Sequence, residues 1–244
     1  MSSGRGVADV LRECRSQGRA ALVGYLPVGY PTVEGSLAAM RVLVEAGCDV
    51  VEVGVPYSDP LMDGPVIQHA AATALAAGSR VDDVFRATAA VREAGAPPLV
   101  MTYWNIVLRR GVERFAADLA DAGGAGLITP DLIPDEGADW IEASERHGLD
   151  RVFLVAPSST PERLATAVGA CRGFVYAAST MGVTGTRTVV DSDARDLVAR
   201  TREATDLPVR AAFVPWIDRL VSQRLVDGST GVSTAVPGAM VRVP

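Results

Sequence analysis

Residues 49–65 read DVVEVGVPYSDPLMDGP. A run of β-branched residues passes into a segment rich in Pro, Asp and Gly, the pattern of a strand feeding a loop. With a period of two, Val51, Val53 and Val55 share one face of that strand, and Val50, Glu52 and Gly54 share the other. Two carboxylates stand out: Glu52 inside the apolar run, and Asp63 eleven residues later in the loop.

Outward from this stretch the same unit recurs. The segments AALVGYL (20–26), PPLVMTY (97–103), AGLITP (125–130), RVFLVA (151–156), GFVYAA (173–178) and LPVRAAFV (207–214) are further strand candidates, seven in all with 49–55. Between them lie segments of helical period, among them TVEGSLAAMRVLVEAG, VDDVFRATAAVREAG, GVERFAADLADAGG, DEGADWIEASERHG, TPERLATAVGACRG and DSDARDLVARTREATD. Several open on Thr, Asp or Ser, which cap helix N-termini, and several close on Gly, which suits a left-handed C-cap. Seven or eight such units, without a linker or low-complexity tract, predict one (β/α)8 TIM barrel spanning residues 1–244. A doubly wound open sheet is the structural alternative, but the first strand is not followed by GxGxxG.

In a barrel the valine face of 49–55 packs under the helices and Glu52 points inward near the C-terminal mouth, where active sites of this fold are built. Burial there raises a carboxyl pKa and suits the group to carry a proton at neutral pH. Alternation by itself leaves open an edge strand on which Glu52 faces water. For Asp63, spacing is equally consistent with a site residue and with turn chemistry.

Composition narrows the chemistry. The net charge is −6, and no Arg cluster is interleaved with aromatics, which argues against a nucleic-acid partner. No apolar run approaches the roughly 20 residues needed to cross a bilayer, and residues 1–14 lack the apolar core of a signal peptide, so a cytoplasmic protein is expected. Cys14, Cys48 and Cys171 lack CxxC spacing and are expected to be buried or idle thiols. His69 and His147 show neither HExxH nor paired spacing and are expected at the surface or at helix ends. The chain contains no lysine, so all 23 basic residues are arginine. Schiff-base catalysis and a P-loop are thereby excluded, and carbon–carbon chemistry would run on carboxylates.

Six segments together carry a resemblance: GYLPVGYPT (24–32), EVGVPYSDPLMDGPVIQ (52–68), MTYWN (101–105), LITPDLIPDE (127–136), FLVAPSSTPERL (153–164) and YAASTMGVTG (176–185). Over residues 8–208 the chain resembles the alpha subunit of tryptophan synthase. The resemblance implies a retro-aldol cleavage of indole-3-glycerol phosphate to indole and glyceraldehyde 3-phosphate, without metal or cofactor. By motif position it makes Glu52 the acid/base at indole C3 and the glycerol hydroxyl, and Asp63 the acceptor of the indole N–H. Thr184 supports that aspartate when the loop closes, Tyr176 lines the indole pocket, and Gly185 is the loop-six glycine that helps to bind phosphate. It further implies mobile loops at 58–64 and 182–187 and a pyridoxal-phosphate-dependent beta subunit as partner in an alpha2-beta2 assembly. Asp59, Pro60 and the PDLIPDE stretch belong to that contact.

After Pro208 the sequence departs from the family pattern. Phe213 and Pro215 stand where glycines would let backbone approach a phosphate, residues 226–236 read VDGSTGVSTAV where a Gly-Ser pair is expected, and a final long helix is missing. Ser229 and Ser233 are the hydroxyls left near that position. The last βα units are therefore expected to be atypical or incomplete, with apolar surface open beside the first and seventh units. Two alternative functions remain on this reading. One is a stand-alone indole-releasing lyase; the other is a non-catalytic relative that docks on the beta subunit and activates it.

Overall fold

The computed structural model describes residues 6–59, 63–178, 192–212 and 241–242. Chain order runs α1 (Val7–Ser16), β1 (Leu22–Pro27), α2 (Val33–Glu45), β2 (Val50–Gly54), α3 (Pro65–Ala76), α4 (Val81–Ala94), β3 (Pro98–Met101), α5 (Trp104–Arg110), α6 (Val112–Asp121) and β4 (Gly126–Ile128). It continues with a 3-10 turn (Pro134–Glu136), α7 (Ala138–Arg146), β5 (Asp150–Val152), β6 (Leu154–Val155), α8 (Pro161–Ala170), β7 (Val175–Ala178), α9 (Ser192–Glu203), β8 (Val209–Ala212) and β9 (Val241–Arg242). All seven expected strands and all six expected helices are present within a few residues of the expected bounds. Three helices, α1, α3 and α5, join them.

Local chemistry explains the boundaries. The Thr32 hydroxyl accepts from the Gly35 N–H at the start of α2, and the Thr160 hydroxyl accepts from the Arg163 N–H at the start of α8. Each satisfies an N–H that the helix itself cannot pair. Pro65 opens α3, where a missing N–H costs nothing. Gly95 closes α4 at φ 108°, a conformation open to glycine without steric cost.

Neighbouring strands from β1 to β5 pair parallel in the order β5-β4-β3-β2-β1, and β6, β7 and β8 pair parallel beside them. The fifth strand of the barrel is divided into β5 and β6 at Phe153. On its free side β1 pairs antiparallel with β9. Residues 213–240, which include Phe213, Pro215, Ser229 and Ser233, lie outside the described residues.

The core has two shells. Val51, Val53, Val100, Leu127, Val175 and Val209 pack outward against helix residues such as Leu37, Met40, Val84, Val91, Phe115 and Trp140. Val23, Val50, Leu99, Ile128, Val152 and Phe174 fill the interior, and Val7, Val10 and Cys14 of α1 pack against them near the strand N-termini. The valine face of β2 thus lies under the helices as its alternation predicts. A cavity of about 700 Å³ lies between α1, the starts of β1 and β2, and β8, with Leu11, Val23, Phe174 and Arg210 among its walls. It lies beside the first and seventh units. The three cysteines are buried and form no disulfide. His69 is exposed on α3, and His147 ends α7 beside Glu113. Among the described residues no helix is long and apolar enough to cross a membrane.

Candidate active site

Glu52 lies on β2 with the parity of Val50, so its side chain enters the barrel interior; it is 2 % exposed. In register it stands between Tyr25 of β1 and Leu99 of β3. The edge-strand alternative is thereby excluded, since β2 is flanked on both sides and every residue of it is buried.

Four of the five tyrosines gather around this carboxyl's end of the barrel. Tyr25 and Tyr176 have phenols raised by burial, Tyr25 well above its usual value and Tyr176 to about 12. The negative charge of Asp63 adds to both shifts. Tyr103 contributes at Tyr25 and stacks on Tyr57 with ring centroids 4.5 Å apart. Asn105 donates to the Tyr57 hydroxyl at 3.0 Å, and the Trp104 N–H donates to Asp131 at 2.9 Å, so the loops after β2, β3 and β4 brace one another. This is the mouth of the barrel at the strand C-termini, walled by rings with polar edges.

Asp63 sits just before Gly64, the N-cap of α3, and is half-buried. Burial raises its carboxyl pKa. Gln68 donates to its backbone carbonyl at 2.9 Å, tying the loop end to the first turn of α3. Asp59, by contrast, is exposed and accepts from the Ser58 hydroxyl at 2.7 Å. Arg210 of β8 joins Glu52 to the Tyr176 ring, the charge of Asp63 is felt at Tyr25 and Tyr176, and Asp59 stays exposed. Pro60, Thr184 and Gly185 lie outside the described residues.

One expectation needs correction. The sequence reading takes burial alone to act on the Glu52 carboxyl, but Arg210 of β8 donates to its Oε1. Arg210 is itself 5 % exposed, and its guanidinium lies over the Tyr176 ring, 5.2 Å from the centroid. An opposite charge opposes the effect of burial on a carboxyl group. Sequence reading placed Arg210 in a strand without singling it out. Its signal was the same one that marked Glu52, a charge at an inward position of an apolar run. Tyr25, in GYL of β1, was missed for want of any local signal.

A family model described as tryptophan synthase alpha chain matches residues 11–233. The chain belongs to the tryptophan synthase alpha chain family. The alpha chain of Mycobacterium marinum is 65 % identical over 196 residues, covering 80 % of this chain and 73 % of that protein. That of Mycobacterium tuberculosis is 62 % identical over 203 residues, covering 83 % and 75 %. Among solved structures, Mycobacterium tuberculosis tryptophan synthase superposes with a TM-score of 0.82 at 59 % identity, over 86 % of this chain and 81 % of that one. The alpha subunit from Pyrococcus furiosus superposes at 0.74 with 30 % identity, over 80 % and 79 %. This alpha chain is accordingly a TIM-barrel lyase of tryptophan biosynthesis, as the resemblance over residues 8–208 implies.

Proposed function

We propose that this alpha chain cleaves indole-3-glycerol phosphate with Glu52 as proton carrier and Asp63 as its electrostatic partner. The Glu52 carboxyl gives a proton to indole C3, which leaves a cationic indolenine. Asp63 accepts from the ring N–H and stabilises that cation. The bond between C3 and the glycerol carbon then breaks, and its electron pair flows back to the ring nitrogen. Glu52, now a carboxylate, takes the proton of the adjacent hydroxyl as that carbon becomes the aldehyde of glyceraldehyde 3-phosphate. The protonated indolenine is the electron sink, so neither an imine nor a cofactor is needed on the alpha side. Tyr176 walls the indole pocket, and Thr184 and Gly185 keep the support and phosphate roles that their motif implies.

The observation that carries this reading is the enclosure of Glu52 on the inner face of β2, with Asp63 bearing on the same two buried phenols. Such a site excludes water, which strengthens every charge interaction within it. An alpha2-beta2 assembly with a pyridoxal-phosphate-bearing beta subunit completes the function, in the cytoplasm. The exposed rim of Asp59, with Ile133 at 51 % exposed beside the Pro134–Glu136 turn, supports docking on the mouth side. We treat residues 1–244 as one catalytic domain whose 209–244 portion diverges.

The test is indole formation from indole-3-glycerol phosphate, with and without an added beta subunit. Wild-type turnover is expected to rise with the partner. Glu52→Gln, shown to be folded by circular dichroism, is expected to lose on the order of 100-fold or more while still binding the beta subunit. Equal rates in mutant and wild type would remove Glu52 from the chemistry, and full turnover without the partner would favour a stand-alone lyase.

A further inference from the structure

We propose that Arg210 is a positioning residue for Glu52: in the ligand-free chain it holds Glu52 as a carboxylate in a buried ion pair, which must open before Glu52 can deliver a proton. This rests on the reading of Glu52 as the proton carrier.

The geometry is built by strand register. Arg210 stands opposite Tyr176 on the adjacent strand, and Val209 beside it packs into the outer shell, so Arg210 takes the inward position. From there it reaches across the barrel to Glu52, 158 residues earlier in the chain, and donates to Oε1. The groups facing the pair are Tyr25 from β1, Leu99 from β3, Tyr176 from β7, Asp63 from the loop after β2, and Tyr103 from the loop after β3. The phenols are neutral at physiological pH, because burial raises those of Tyr25 and Tyr176. Burial lowers Arg210 to about 10, so it too keeps its charge at neutral pH. The guanidinium rests on the Tyr176 ring, a cation–π contact that fixes its plane. Its buried Nε has no hydrogen-bond partner among the described residues.

Two consequences follow from the chemistry. A carboxylate held by a guanidinium has no proton to give to indole C3, and it is a weaker base toward the glycerol hydroxyl than a free carboxylate. The pair is also enclosed, so neither partner can be lost without leaving a buried charge uncompensated. Substrate entry, which brings indole against Tyr176 and Glu52, is the event that can separate the two.

The test uses the full chain labelled with carbon-13 at the glutamate side-chain carboxyl, the Glu52 signal being assigned by its loss in Glu52→Gln. In the wild type the Glu52 titration midpoint is expected below that of the exposed glutamates. In Arg210→Met it is expected to move up by at least about one unit, a tenfold change in proton affinity. The alkaline limb of the kcat/KM profile for indole release, which reports the free enzyme and is lost as Glu52 gives up its proton, should move up by a similar amount. A wild-type Glu52 that titrates at or above the exposed glutamates would overturn the proposal whether or not Arg210→Met folds. A midpoint unmoved by Arg210→Met would overturn it as well. Failure of the catalytic reading looks different: Glu52→Gln would turn over like wild type while the Glu52 signal still reported the ion pair.

Discussion

A methyl group on Gly54 would lie 2.4 Å from the Tyr25 hydroxyl and 2.7 Å from its ring carbon Cζ. Gly54 is therefore glycine because a ring lies against its backbone; its φ is not in the left-handed region. It stands one inward position beyond Glu52, and its lack of a side chain lets Tyr25 lean over the strand toward the mouth. Gly54→Ala would push that ring away from Glu52 and overpack the interior, with an expected loss of about 1–3 kcal/mol in urea unfolding. In a Tyr25→Ala background the same change should be nearly neutral, and a double-mutant cycle would show the coupling. Sequence alone marks Glu52 at this scale, because a charge in an apolar strand is visible without a structure. It could not mark Tyr25, since a tyrosine in a strand is unremarkable until its neighbours are known.

At the scale of elements, punctuation was legible and continuity was not. Thr32 and Thr160 cap α2 and α8 as expected from their place before periodic runs. Thr160→Ala is expected to cost about 1 kcal/mol, read as a lower urea midpoint at an unchanged slope, while Thr160→Ser should leave stability near wild type. The fifth strand, expected to run unbroken over 151–156, divides at Phe153. There the Phe153 N–H donates to the Cys171 sulfur at 3.4 Å, while the Phe153 ring packs into the outer shell. Arg151 meanwhile bridges to Arg172 across the same seam, with backbone bonds in both directions. These partners lie some twenty residues away, so no window of local sequence contains the cause of the break. Of the three unexpected helices, α5 has only seven residues and α3 is alanine-rich with little contrast between its faces, so neither carries a clear helical period; α1 does carry one, with Val7, Val10 and Cys14 on its buried face.

For the whole molecule, the strand starts are tied by charge as well as by apolar packing. Arg19, which follows α1, grips Asp49 at the start of β2 with two bonds of 2.8 Å, and the Leu22 N–H donates to the same carboxylate. Burial by itself would raise the Asp49 pKa, but the Arg19 and Leu22 bonds outweigh it and the carboxyl ends below its ordinary value of 3.8. A depressed folded value means that Asp49 contributes stability above pH 3.8 and that this contribution is lost as the pH falls through the lower folded value. Urea unfolding across pH 3–7 should therefore show a smaller acid-side loss in Asp49→Asn than in wild type. An identical loss would assign the acid sensitivity to other carboxylates. The sequence by itself determined the alternation of strands and helices, the parity that Glu52 shares with Val50 and Gly54, and the membership in a family of lyases, because those rest on periodicity, caps and a long contiguous motif. Only the tertiary structure decided that Arg210 meets Glu52 and lies over Tyr176, and that Asp63 is half-buried while Asp59 stays exposed. Those pairings arise when parallel strands far apart in the chain take their register and curl around one interior, and no local pattern of residues encodes which inward positions will then face each other.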